Sequence, residues 1–179
     1  MCQACGGACG ALPSRRSGLV LDVNVAGRSL RIRDAGGAAP LYVSRPLDAD
    51  SASRMTEWAR RCGFVDLVPQ DQMHVTVAYS RAPVDWFKFP SWFAADDLVV
   101  PAGGPRRVET FDGDVSVLRF ASEPLNLRWD EFRRGGCSWD HPSYAPHITF
   151  AGRLGTADPS RLKAFAGELR FGPEEFAPI

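Results

Sequence analysis

Two segments of the chain repeat one pattern. Met73-His74-Val75-Thr76-Val77-Ala78 and Pro146-His147-Ile148-Thr149-Phe150-Ala151 each read His, apolar, Thr, apolar, and two of the chain's three histidines stand in them, 147 − 74 = 73 residues apart. In a strand, alternate side chains share a face, so His74 joins Thr76 and His147 joins Thr149, while the apolar residues take the other side. If the two strands face each other, two imidazoles and two hydroxyls converge. Cleavage of a phosphodiester needs such a set. An attacking 2′-hydroxyl or water must lose a proton, and the leaving oxygen must gain one. An unperturbed imidazole has a pKa of about 6.5, so one neutral and one protonated histidine coexist near neutrality as base and acid. The threonine hydroxyls supply donors to non-bridging oxygens, where negative charge builds. The chemistry requires neither a metal ion nor another cofactor.

The elements that would carry these groups are legible from periodicity. A short strand is expected at Leu41–Val43. A helix is expected from about Ser51 to Cys62, with Met55, Trp58, Ala59 and Cys62 at i, i+3, i+4, i+7 as its buried stripe. Asp50 or Ser51 would cap its start, and Gly63 would close it. The first His-X-Thr strand follows, then a Pro- and Trp-rich loop from Ser80 to Ala95. Further strands are read at Leu98–Val100, Arg107–Phe111 and Val115–Phe120, the last two joined by an Asp112-Gly113 turn. Ser122–Arg134 reads as a second helix, ended by Gly135-Gly136. The second His-X-Thr strand comes next. Asp158-Pro159 is the start expected for a short third helix, and a last strand is placed at Glu168–Phe171. Strands with interspersed helices and one motif in each half suggest an α+β domain of two similar lobes.

The remaining sequence narrows the class. The 179 residues suit one domain with an appendage. Residues 1–39 form a leader or accessory segment. Leu19–Val25 and Ser29–Ile32 are a candidate β-hairpin in it, and a linker follows at Ala35–Pro40. Residues 40–179 form the main domain. Basic and acidic residues number 21 each. Proteins that bind long nucleic acid non-specifically draw affinity from a basic excess, so a small anionic ligand fits better. No apolar run approaches the ~20 residues of a membrane helix, and no signal-peptide core is seen, which reads as a cytoplasmic protein without a membrane partner. Cys2, Cys5 and Cys9 are spaced like part of a metal knuckle, yet no histidine lies before His74, and an unstructured leader is the preferred reading. Cys62 reads as core. His141, before Pro142, lacks the motif context and reads as a surface residue.

Paired His-X-Thr strands resemble the signature of the two-histidine (2H) phosphoesterases. Leu41-Tyr42-Val43-Ser44-Arg45-Pro46, the run from Met73 to Ser80, and Pro83-Val84-Asp85-Trp86 look most like the phage anti-CBASS cyclic-oligonucleotide phosphodiesterases, which destroy the cyclic nucleotide messengers of a bacterial antiphage system. The resemblance covers roughly residues 40–179. It implies two sheet-and-helix lobes around a central cleft, with His74, Thr76, His147 and Thr149 as catalytic residues and no metal site. It implies cyclic di- or trinucleotides as substrates, opened at a 3′–5′ linkage, in the bacterial host cytoplasm if the gene is of phage or prophage origin.

The resemblance also implies substrate contacts. An aromatic at Tyr42, 74 − 42 = 32 residues before the first histidine, would border the nucleotide pocket; the competing reading is a tyrosine packed at a strand edge. An acid near Glu175, 175 − 147 = 28 residues after the second histidine, would accept a hydrogen bond from a base or sugar, and Glu174 is the alternative. Trp86 and Trp139 sit in loop-like stretches where an aromatic stacks on a base or packs on the core. Tyr144, just before the second motif, is a candidate cleft residue. Two other functions stay open at this level. One is a 2H phosphoesterase acting on RNA 2′,3′-cyclic ends or 2′,5′-oligoadenylate, which are linear. The other is a non-catalytic module of a phage particle, which intact His and Thr pairs weigh against. The sequence leaves the oligomeric state open.

Overall fold

The computed structural model describes residues 20–25, 28–33, 38–89, 96–111 and 114–179. The expected Asp112-Gly113 turn, the N-terminal cysteines and the far end of the Pro- and Trp-rich loop lie outside the described residues. The chain divides into two units between Gly37 and Ala38. In the first, β1 (Val20–Val25) and β2 (Arg28–Arg33) pair antiparallel, from Val20↔Arg33 to Val25↔Arg28.

The second unit holds β3 (Ala39–Pro46), α1 (Ala49–Arg61), β4 (Val65–Leu67), β5 (His74–Val84), β6 (Leu98–Val100), β7 (Arg106–Phe111), β8 (Val115–Phe120), α2 (Glu123–Arg134), β9 (His147–Arg153), β10 (Leu169–Phe171) and β11 (Glu175–Ala177). A seven-stranded sheet runs β11-β3-β5-β9-β8-β7, with β4 also on β9, and β6 pairs with β10 in a two-stranded sheet. Every pairing is antiparallel. Two half-sheets, one carrying each histidine, join where Val75 registers with Ile148. The motif strands therefore stand side by side rather than face to face. The architecture is α+β, as expected from the sequence.

Both helices cover the face opposite the histidines. Trp58 of α1 meets the Phe150 ring of β9 at 5.3 Å, and Phe132 of α2 meets Phe176 of β11 at 6.0 Å. Val75, Val77, Ile148 and Phe150 are fully buried between sheet and helices. Each such side chain contributes about 1.5–3 kcal/mol, so the apolar halves of the two motifs hold their polar halves in place. The predicted stripe of α1 is the buried one: Met55 and Ala59 are fully enclosed, and Trp58 and Cys62 pack against the core. Its cap lies earlier than expected. The Asp48 carboxylate accepts from the Ser51 N–H at 2.7 Å, and Ser51 itself is buried. Gly63 closes the helix at φ 89°, a conformation that suits glycine.

Two further expectations fail. The strand after the first motif runs on to Val84, through Pro83, where a loop was expected. Beyond the bridge to β9 this strand pairs only with β3, so one edge is open and the missing proline N–H is tolerated. The third helix at Asp158 does not form. The Asp158 side chain takes the Ser160 N–H and hydroxyl, which makes a single turn. Arg106 then binds the carbonyls of Phe165 and Gly167, Phe165 enters the core, and the chain runs on as irregular backbone.

Candidate active site

Val75↔Ile148 fixes the site's geometry. Its sum, 75 + 148 = 223, sets His74 beside Thr149 and Thr76 beside His147 in the antiparallel register. Each imidazole thus stands next to the other strand's hydroxyl, on the face away from the core. The four sequence-predicted residues come together.

The two histidines are held alike. His74 Nδ1 lies 2.7 Å from the Gln72 carbonyl and His147 Nδ1 2.9 Å from the Ala145 carbonyl, each two residues back. A carbonyl only accepts, so both Nδ1 atoms carry hydrogen, and Nε2 is the atom left to exchange protons. The surroundings of the Nε2 atoms differ. Tyr42 Oη is 2.8 Å from His74 Nε2 and 3.0 Å from Thr76 Oγ1, which ties the first motif together from β3. Burial raises the Tyr42 pKa, and its hydrogen bonds to Thr76 and Ser44 oppose that rise, so the phenol stays a neutral donor and acceptor. His147 is half-buried. Phe111 meets its ring edge-on at 5.4 Å, and Arg119 is its cross-strand partner on β8. Burial pulls the His147 imidazole below its ordinary pKa, Arg119, His141 and His74 add to that, and the Ala145 carbonyl opposes it.

Other predicted residues divide. Tyr144 is adjacent: its hydroxyl donates to the Thr76 carbonyl at 2.8 Å, and its ring stacks on Trp129 at 5.6 Å. Trp139 lies one ring further out, edge-on to Tyr144 and Trp129, with its indole N–H on the Ser143 carbonyl. Glu175 registers with Ser44, which registers with Thr76, so it stands exposed on the histidine face. Glu174 points the other way. It is buried and bound by two Arg128 nitrogens at 2.8–3.2 Å, with Arg45 at 3.7 Å, which anchors β11 to α2 and β3. Trp86 is not brought to the site. It follows the far end of β5, about 33 Å along the strand from His74 at ~3.3 Å per residue, where its N–H binds the Ala39 carbonyl and its ring packs on the core.

The sequence reading missed Tyr79, Phe111 and Arg119. A bulge in β5 sets Val43 against Ala78 and Ser44 against Thr76, so the alternation slips by one residue. Tyr79 then lies across from Tyr42 on the histidine face, with the rings 6.3 Å apart. Val77 and Ala78, adjacent in the chain, are accordingly both buried. Among the described residues, no cluster of three or more His, Cys, Asp or Glu could hold a metal ion. Also among them, no helix is long and apolar enough to cross a membrane.

Comparison with known proteins gives these features a context. The model of the family described as anti-CBASS protein Acb1 matches residues 39–179. An anti-CBASS protein Acb1 of Caulobacter sp. (strain RHG1) is 43% identical over 143 residues, 78% of this chain and 22% of the relative. One of Sphingomonas paeninsulae is 39% identical over 155 residues, 84% of this chain and 24% of the relative. The chain thus spans about a quarter of the length of these two relatives. That of Enterobacteria phage T4 is 30% identical over 115 residues, 64% of this chain and 73% of its own length. Among solved structures, E. coli LigT complexed with 3′-AMP superposes with a TM-score of 0.51 at 16% identity, covering 79% of this chain and 95% of LigT. The fold is that of the LigT-like 2H phosphoesterases.

Proposed function

The chain belongs to the anti-CBASS protein Acb1 family, and on that premise we propose that it is a metal-independent phosphodiesterase that opens cyclic di- or trinucleotide messengers at a 3′–5′ linkage and so counteracts CBASS immunity in the bacterial host cytoplasm. The observation that carries the reading is the joining of two His-X-Thr strands at Val75↔Ile148, with both Nδ1 atoms fixed on main-chain carbonyls.

The chemistry follows from the groups present. The adjacent 2′-hydroxyl attacks phosphorus and gives its proton to one Nε2, and the other Nε2 donates a proton to the leaving 5′-oxygen. His147, whose lowered pKa favours the neutral form, is the base. His74 is the acid. Thr76 and Thr149 donate to the non-bridging oxygens as their charge grows. Tyr42, bridging His74 and Thr76, holds that half in register. Tyr42, Glu175, Tyr144 and Trp139 border the bound nucleotide. The balanced net charge of the chain agrees with a compact ligand, because long RNA would draw on a basic surface.

The test compares turnover of cyclic di- and trinucleotides with that of linear RNA bearing a 2′,3′-cyclic end and of 2′,5′-oligoadenylate. Faster opening of at least one cyclic substrate is the expected result. Far faster turnover of a linear substrate than of every cyclic one would overturn the substrate assignment.

A further inference from the structure

We propose that an arginine-lined cleft beside His147 is a subsite for a second, non-scissile phosphodiester of the substrate, held by the guanidinium groups of Arg107 and Arg119. The proposal rests on the phosphodiesterase reading above and adds a substrate requirement to it.

The cleft has a volume of about 440 Å³, and its walls include Arg106, Arg107, Arg119, Asn126, Tyr144 and Pro146. This is within the usual range for small-ligand sites. Its position follows from the register. Arg119 is the cross-strand partner of His147, and Arg107 is the partner of Arg119, so the three form a row across β9, β8 and β7 on the histidine face. Facing residues in such a row stand roughly 4.5–5.5 Å apart, so Arg119 begins one strand and Arg107 two strands away from the reacting centre. Tyr144 connects the cleft to the first motif through the Thr76 carbonyl.

Charge favours an anion. Glu109 forms ion pairs with both Arg107 and Arg119, which leaves this group with a surplus positive charge. Arg106 adds a further charge, although its N–H groups are engaged by the carbonyls of Pro101, Phe165 and Gly167. The concentration matters because the chain as a whole is neutral. Arg119 also lies over the Phe111 ring at 5.7 Å, and that same ring meets His147 edge-on at 5.4 Å. Arginine's planar fork suits a phosphodiester's two non-bridging oxygens. A cyclic dinucleotide with one phosphodiester at the histidines has its other only a ribose away.

The experiment measures KM for a cyclic dinucleotide and for a linear 3′–5′ dinucleoside monophosphate, which has the same scissile bond but no second phosphodiester. The proteins are wild type, Arg107→Gln, Arg119→Gln and Glu109→Gln. Each arginine variant should raise KM for the cyclic substrate more than for the linear one. For Arg119→Gln the ratio of the two KM values should move by roughly tenfold or more, the scale of one charge-assisted hydrogen bond. Glu109→Gln should move the ratio the opposite way, because it frees both arginines. Arg107 is largely exposed on the edge strand, so its variant keeps the test valid if Arg119→Gln does not fold. Equal effects on both substrates, or none, would overturn the subsite while leaving the phosphodiesterase intact. If only a cyclic trinucleotide is opened, it takes the dinucleotide's place in the comparison; wild-type protein that opens neither would instead refute the underlying reading, and the subsite with it.

Discussion

His74 stands exposed at the start of β5 with the Tyr42 hydroxyl on its Nε2, whereas His147 stands half-buried at the start of β9 between Phe111 and Arg119. The two strands share a motif, a strand position and a main-chain carbonyl on Nδ1. What differs is the neighbouring strand. On one side β3 offers a neutral phenol, and on the other β8 offers a cation. The difference teaches that the motif fixes the tautomer, while burial, with Arg119 adding to it, lowers the proton affinity of His147. In the proposed mechanism this difference makes His147 the base and leaves His74 as the acid.

The harshest way to break the comparison is to remove either imidazole. His74→Ala and His147→Ala should each lower kcat by ~10²–10⁴-fold. The double variant should be little worse than either single one, since both act in one concerted transfer. Steady-state rates with circular dichroism as a control for folding would check this. Independent, multiplying losses would mean that the histidines do not act as a pair.

Removing a hydroxyl should cost less. Thr76→Ala and Thr149→Ala should lower kcat more than they raise KM, by up to ~2.7–4 kcal/mol of transition-state stabilisation. Serine at either position should be milder, because the hydroxyl survives. Equal rates for the serine and alanine variants would show that the hydroxyls are not the working groups.

Tyr42→Phe should sharpen the contrast. It deletes the hydrogen bonds to His74 and Thr76 and keeps the ring. A neutral hydrogen bond is worth about 0.5–1.5 kcal/mol, so a loss of a few-fold to roughly tenfold is expected. The acidic limb of the pH profile, which depends on His147, should stay in place. A displaced acidic limb would deny the asymmetry. Glu175→Ala should have the smallest effect: a raised KM, or a changed preference among cyclic substrates, with kcat nearly kept. A collapse of kcat would put Glu175 in the chemistry instead.

Local pattern told where the histidines lie and little of what surrounds them. His74, Thr76, His147 and Thr149 share a face because strand alternation is a property of the chain itself, and the stripe on α1 was readable for the same reason. The asymmetry came from pairing between distant strands. Nothing in the run around His147 announces that Arg119 will stand beside it. The bulge that brings Tyr79 onto the histidine face depends on the register with β3. Of the two readings of Trp86, stacking on a base or packing on the core, the structure shows the second, because β5 continues through Pro83 and carries the ring onto the core at its far end. The expected helix at Asp158 gave way to carbonyl contacts with Arg106, a residue more than 50 positions earlier in the chain.

The most direct test of the central claim is the pH dependence of cyclic dinucleotide cleavage in excess chelator. The rate should be fully retained without divalent metal and follow a bell. Its acidic limb should fall below the ordinary imidazole range, because His147 must be neutral to act as base and its pKa is lowered. In Arg119→Gln that limb should move to higher pH, since a neighbouring positive charge has been removed. Loss of activity in chelator with rescue by a divalent ion, or a pH profile without an acidic limb, would contradict the account.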